Sequence, residues 1–399
     1  MTGDASRFLR VFIVAGEHSG DRLGGKLMPA LREVTDGKVV FAGVGGDEME
    51  AQGFQTLFDL ADVAVMGPLA IAKRLPLLYR RVHQTVDAAL AFKPDVVVIV
   101  DSPEFTHPIA KRIRKRNPRI PIIDYVSPSV WAWRPGRARK MRPYVDHILA
   151  LLPFEPEAHR RLGGPPCTYV GHPLVERQEW IRSRDAEGLR RRLGLPADRP
   201  VVLVLPGSRP SEVGRLMQPF GATIAQLCDR AGPVSVVLPV VESVKPMVLA
   251  AVEAWPVKPV IVGGEEDKFA AFRLAHAALA ASGTVTLELA VAGTPMVVAY
   301  RVEPWIAPVL RRLIKGPSIV LANLVLGRNV FPEYIQERAT PELMSAALAE
   351  LLSDTPARRL QQEALAGIGE LLAPPASSPS LAAAEIVVGM GQGGRGAAT

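Results

Sequence analysis

Short, almost unbroken apolar runs recur along the chain, each closing on Gly, Pro, Ser or Asp, with stretches of helical period between them. In the first half they are FLRVFIVAG, KVVFAGVGG, DVVVIVDSP, IPIIDYVSP and HILALLPF, interleaved with helical segments such as SGDRLGGKLMPALREV and RRVHQTVDAALAFK. Val/Ile/Leu-rich strands without polar alternation are buried on both faces, and helical crossovers between them imply a parallel sheet. The series gives way to a charged helical stretch, ERQEWIRSRDAEGLRRRLGL, then restarts with PVVLVLPGS, VSVVLPV, PVIVG, LAHAALAAS and TPMVVAYRV. The pattern predicts an α/β fold of two doubly wound parallel-sheet domains with a cleft between them: residues 1–175, a connector at 176–198, and 199–372. The tail, 373–399, is biased towards Pro and small residues, and about its last ten residues are expected to be disordered.

With 399 residues, 48% of them apolar, the chain can build two cores. Its two cysteines, Cys167 and Cys228, form no metal-ligand spacing and suit a reducing compartment better than a disulfide framework. The N-terminal MTGDASRFLRVFIVAG has no basic stretch before its apolar run, so residues 8–14 read as a first strand and not as an export signal. Runs such as VAVMGPLAIA fall short of the ~20 residues that span a bilayer, which leaves a soluble or surface-bound protein. Charge is uneven: residues 1–175 carry a net +6 and the remainder +1, with eleven basic residues and one acid, Asp124, within 111–142. Such a concentration suits an anionic partner, although most charge runs are simply solvated.

Open parallel sheets bind ligands beyond the carboxyl ends of their strands, so the chemistry should lie in the turns. In LPGSRPSEVGRL, Gly207 and Ser208 start a helix whose free N–H groups suit a phosphate, with the Arg209 guanidinium beside them; a plain N-cap explains the same residues. In ASGTVTLELAVAG, Ser282, Gly283 and Thr284 form a second such turn, and Glu288 one helical turn later can accept from a ribose diol or merely favour the helix dipole. VAGEHSGDRLGGKL offers Gly16, Glu17, His18, Ser19, Gly20 and Asp21 at a third corner, and its glycines do not fit a dinucleotide fingerprint. KPDVVVIVDSPEF brings Asp95 to the start of a strand and Asp101 and Glu104 to its end, where a general base would sit; turn capping accounts for them equally well. With no Asp-x-Asp pair and no His/Cys cluster, neither a catalytic metal nor a cofactor is expected. In PLAIAKRLPLLYRRVHQTV a stripe of Ile71, Leu75, Leu78 and Val82 suits a core face. Leu69 and Leu77 fall off that stripe among Lys73, Arg74, Arg80 and Arg81, with Pro76 kinking it, as in an interfacial helix.

Taken in order, AGEHSGD, GVGGDEM, VMG, PDVVVIVDSPEF, YVSPSVWAW, LPFE, YVGHPL, LPGSR, ASGTVTLE and NLVLGR resemble the lipid-A-disaccharide synthase family of glycosyltransferases over residues 11–335. The resemblance implies a GT-B fold of two Rossmann-like domains, with acceptor on the first and nucleotide donor on the second. It implies inverting, metal-free transfer from UDP-2,3-diacylglucosamine to 2,3-diacylglucosamine 1-phosphate, giving the β(1→6) disaccharide phosphate and UDP, at the cytoplasmic face of the inner membrane. Glu288 would then hold the ribose, and Ser208, Arg209, Ser282, Gly283 and Thr284 the diphosphate, with Asn323 facing the donor. The base would be Asp95 or Glu104, the family usually having Asp at the latter position, and Gly16, Glu17, Ser19, Gly20 and Asp21 would meet the acceptor. The basic 111–142 region and the 68–82 segment fit a lipid phosphate on an anionic membrane surface. A UDP-N-acetylglucosamine 2-epimerase would share the nucleotide turns but has no use for an apolar, basic 68–82 segment. A non-catalytic RNA- or phosphate-binding protein is the other alternative, but no RNA-binding module is recognisable, so nucleic acid is not an expected partner.

Overall fold

The computed structural model describes residues 8–64, 68–303, 316–374 and 378–396; the side chains of 68–73 and 394–396 lie outside the described set, as does the VMG stretch at 65–67. The chain divides into two compact units, one formed by the residues up to Pro173 together with those from Ala373 onward, the other by Leu174–Leu372.

In the first unit, β1 (Leu9–Ala15), α1 (His18–Val34), β2 (Val39–Val44), α2 (Asp47–Glu50), α3 (Pro68–Phe92), β3 (Val96–Val100), α4 (Pro103–Arg116), β4 (Ile122–Tyr125), α5 (Gly136–Met141), β5 (His147–Ala150), α6 (Glu155–Leu162) and β6 (Cys167–Tyr169) follow one another. The sheet is wholly parallel in the order β2-β1-β3-β4-β5-β6. Both of its faces are buried, which is why β1 and β3 read as continuous apolar runs: Val11, Ile13, Val96 and Val98 pack with α1, while Phe12, Val97 and Ile99 pack with α3 and α4.

The second unit holds α7 (Gln178–Arg182), α8 (Ala186–Arg192), β7 (Val201–Leu205), α9 (Pro210–Ala231), β8 (Ser235–Pro239), α10 (Lys245–Val252), β9 (Val260–Val262), α11 (Glu265–Leu274), β10 (Ala277–Ala281), α12 (Val285–Ala292), β11 (Met296–Tyr300), α13 (Leu321–Leu326), β12 (Glu333–Ile335), α14 (Pro341–Leu352) and α15 (Pro356–Leu371). Its parallel sheet has the order β12-β11-β10-β7-β8-β9.

Two boundaries differ from the sequence expectation. The stretch 176–198 is no free connector: Arg177, Arg184 and Arg192 pair with Glu265, Glu266 and Asp267 on α11, which ties α7 and α8 into the second unit. The tail belongs to the first unit. Helix α16 (Pro379–Gly396) packs on α1, β1 and β3 and buries Ala383, Ala384, Val387 and Val388. Small side chains let this helix lie close to the sheet; disorder was expected only of about the last ten residues of the chain, of which 397–399 fall outside the described set.

Candidate functional site

Strand order reverses once in each sheet, and ligands of open α/β sheets bind where it does. In the first unit that place is between β1 and β3, since β2 lies on one side of β1 and β3 on the other, with α1 and α4 packed against opposite faces. Ala15 and Val100 are in register, so the turn of Gly16–Gly20 and the turn of Asp101–Glu104 lie side by side. The approach is tight: a Cβ on Gly16 would fall 2.5 Å from Ser102 Cβ, and one on Gly20 2.9 Å from the Val100 carbonyl oxygen. Ser19 Oγ sits 2.9 Å from Asp101 Oδ2 and 2.9 Å from Glu17 Oε1, and its single proton serves one carboxylate at a time.

Asp101 and Ser102 hold left-handed backbone, φ 54° and 45°, and one strand over Val126 has φ 89°. Such conformations cost about 1–3 kcal/mol each outside glycine and gather at functional sites. Here the turn is held by the Asp101 N–H donating to the Tyr125 carbonyl (3.0 Å), the Ser102 N–H to Asp101 Oδ1 (2.8 Å) and the Thr106 hydroxyl to the Asp101 carbonyl (2.8 Å). Glu104 lies in the first turn of α4 with its side chain 66% exposed and paired to Arg137 at 3.3 Å.

Two of the expected residues stand apart from this crevice. Asp95 stands at the amino end of β3, where it accepts the Arg10 N–H at 2.8 Å; six residues of strand put it roughly 20 Å from Asp101, too far to share its chemistry. Asp21 turns away from the crevice. Its carboxylate, 2% exposed, accepts the N–H groups of Gly46 (2.7 Å), Glu48 (3.0 Å) and Met49 (3.2 Å) and so caps α2.

Behind the crevice, Asp124 on β4 is buried and its carboxyl is pushed up by that burial, with His107 acting in the opposite direction. Asp124 Oδ2 is 3.2 Å from His107 Nε2, near enough for an ion pair but poorly aligned for a hydrogen bond, and His107 Nδ1 meets the Tyr144 hydroxyl at 3.0 Å. YVSPSVWAW and LPFE meet in a second buried knot. Glu155 accepts from Trp131 Nε1 (3.2 Å) and from the N–H groups of Leu151 (3.2 Å) and Leu152 (3.0 Å), while Ser127 Oγ lies 2.8 Å from His159 Nε2.

Burial pushes the Glu155 carboxyl up to about 7 from its ordinary 4.5, so the folded chain binds the proton more tightly than the unfolded one. Its contribution to stability is then full below the unfolded value and lost as pH rises from about 4.5 to about 7, by at most about 3 kcal/mol. Glu155→Gln keeps an acceptor but removes the titration. The stability difference, wild type minus variant, is expected to fall between pH 4.5 and pH 8 in denaturant unfolding, and an unchanged difference would refute the assignment.

In the second unit the reversal lies between β7 and β10, whose register sets Leu205 beside Ala280. It therefore brings together Gly207, Ser208 and Arg209 with Ser282, Gly283, Thr284 and Glu288, but the two turns are not equivalent. Gly207 (φ 111°) permits the side chain of Glu212 to fold back, and a Cβ there would lie 2.3 Å from Glu212 Oε2. Glu212 accepts the N–H groups of Ser208 (3.2 Å) and Arg209 (3.3 Å), so the backbone donors expected to cradle phosphate already hold a carboxylate. Arg209 keeps its side chain 60% exposed.

At the other turn, no acceptor among the described residues meets the N–H groups of Gly283, Thr284 or Val285, and a Cβ on Gly283 would touch nothing within 4 Å. The Ser282 hydroxyl donates to the Ile319 carbonyl at 2.6 Å. Glu288, half-buried, accepts from Lys268 Nζ at 2.6 Å. Sequence reading missed both Glu212 and Lys268. The first had a signal, since a Glu three residues after an N-cap is the capping-box position; the second had none.

The Asn323 amide is engaged by its own loop. It is 1% exposed, donates to the Phe331 carbonyl (2.9 Å), and accepts from the N–H groups of Val330 and Phe331 (both 2.9 Å), so it binds its own loop.

Two compact α/β units, each with a parallel six-stranded sheet whose strand order reverses once, make a GT-B-like two-domain fold. The sequence model of the family described as lipid-A-disaccharide synthetase matches residues 11–387, and the chain belongs to that family of UDP-sugar glycosyltransferases. The lipid-A-disaccharide synthase of Nitrobacter hamburgensis is 54% identical, covering 95% of each chain, and that of Ruegeria pomeroyi 43%, covering 96% of each. Among solved structures, UDP-GlcNAc 2-epimerase from Neisseria meningitidis bound to UDP-GlcNAc aligns with TM-score 0.63 at 13% identity, covering 96% of this chain and 99% of that one. MurG of Acinetobacter baumannii aligns with TM-score 0.57 at 13% identity over the same shares. At such identity these two show the fold alone, so the epimerase stands as a structural neighbour.

Proposed function

We propose that the chain transfers a diacylglucosamine from its UDP donor to 2,3-diacylglucosamine 1-phosphate, with inversion. The observation that carries this reading is the placement of both sets of candidate residues at the strand-order reversals, Ser19 and Asp101 in one unit and the paired turns in the other. The unmatched N–H groups of Gly283–Val285, at the positive end of α12, take the diphosphate, and Glu288 takes the ribose. The Arg209 guanidinium and the Ser208 and Thr284 hydroxyls neutralise charge as UDP departs. Asp101 is the base for the acceptor hydroxyl, its carboxylate oriented by Ser19 and by the Ser102 N–H, while Glu17 and the backbone of Gly16 and Gly20 line the acceptor's approach. Glu104, engaged by Arg137, adjusts the local charge and does not take the proton.

The acceptor's acyl chains call for a lipid surface. Helix α3 supports this with Leu75 (56% exposed) and Tyr79 (62% exposed) beside exposed Arg74 and Arg80, whereas Val82 turns into the core and Leu78 packs on it. The side chains of Leu69, Ile71 and Lys73 lie outside the described residues. No described helix is long and apolar enough to cross a membrane.

UDP release from UDP-2,3-diacylglucosamine in detergent micelles, with and without the acceptor, tests the proposal, and co-sedimentation with anionic vesicles tests the surface contact. Acceptor-dependent release supports transfer; release that ignores the acceptor, or none with either substrate, overturns it.

A further inference from the structure

The ammonium of Lys268 is held in place. Its Nζ lies 5.0 Å and 5.5 Å from the ring centroids of Phe269 and Phe272 and donates to Glu288 Oε2 at 2.6 Å. The three acids that precede it on α11, Glu265, Glu266 and Asp267, are each paired with an arginine of the 174–198 stretch, so Lys268 is the charge on that turn aimed instead at α12. Both partners keep some access to solvent, 29% for the lysine side chain and 22% for the glutamate. Glu288 lies one helical turn beyond the open N–H groups of Gly283–Val285, and Lys268 reaches it from α11.

A carboxylate can only accept hydrogen bonds and an ammonium can only donate, whereas each hydroxyl of a cis-diol does both. Their mutual bond uses one of three ammonium N–H groups and one of about four carboxylate lone-pair sites, leaving donors and acceptors adjacent. We propose that Lys268 and Glu288 together form a cis-diol clamp, so that Lys268 is a second ribose-binding residue and the ligand class is a nucleoside diphosphate with an intact ribose. This rests on the nucleotide reading of the second unit given above.

Titration calorimetry of the full chain with UDP and with 2′,3′-dideoxy-UDP, which lacks both hydroxyls of the diol, tests it, using wild type, Lys268→Met, Lys268→Arg and Glu288→Gln. Wild type is expected to favour UDP by ~10-fold or more, the scale of a hydrogen-bonded hydroxyl left without its partners. Lys268→Met should weaken UDP by about that factor and leave 2′,3′-dideoxy-UDP nearly unchanged, lowering the ratio as Glu288→Gln should, and Lys268→Arg should restore most of it. Equal weakening of both ligands by Lys268→Met, the result of general charge attraction or of a purely structural pair, overturns the clamp, as does no weakening. A wild type that discriminates between the two but a Lys268→Met variant that discriminates equally well also overturns it. A wild type that binds neither ligand overturns the nucleotide reading itself.

Discussion

Asp101→Asn is expected to lower kcat for the transfer by ~10²–10⁴, the range a positioned general base supplies, while UDP binding to the second unit stays at its wild-type level. The variant separates chemistry from folding. Asn tolerates the left-handed backbone at φ 54° about as well as Asp; its amide oxygen can still accept from the Ser102 N–H, and its NH2 group, at the place of Oδ2, can donate to the Ser19 oxygen. What it cannot do is take the acceptor's proton. Asp95→Asn, at the far end of β3, should leave turnover near the wild-type rate, because an amide oxygen also accepts the Arg10 N–H. Glu104→Gln is expected to cost much less than Asp101→Asn, since the Glu104 side chain is exposed and tied to Arg137. A large loss in Glu104→Gln with a mild one in Asp101→Asn would transfer the base to Glu104.

The competition between these three carboxylates shows what a sequence conveys about such a site. Parallel strands buried on both faces announce themselves as apolar runs, and the turns that close them are the places where open sheets bind ligands, so both crevices were legible from pattern alone. The short outer strands β6 and β12, three residues each and partly polar, carry no such signature. A motif marks a position without stating its task. Asn323 sits in a recognisable motif, yet its amide spends its hydrogen bonds on Val330 and Phe331. Lys268 and Glu288 are twenty residues apart and meet only because α11 packs on α12, a tertiary fact that no local spacing encodes.

Asp21→Ala is expected to destabilise the first unit by about 3 kcal/mol, because three N–H groups would lose a charged acceptor and each buried donor left unmet costs about 1–3 kcal/mol, less whatever water recovers. For a unit of roughly 200 residues that corresponds to a fall in Tm of roughly 6–12 °C. Asp21→Asn should cost less, since Oδ1, which accepts from Gly46 and Met49, can be kept as the amide oxygen. The sequence placed Asp21 with the acceptor-binding residues Gly16, Glu17, Ser19 and Gly20, and the two roles leave different signatures. A structural carboxylate moves Tm and leaves the acceptor KM of the surviving folded fraction unchanged. A binding carboxylate raises KM in both variants while Tm stays put. Thermal unfolding beside acceptor titration decides between them, and the burial of Asp21 under the α2 turn favours the first outcome.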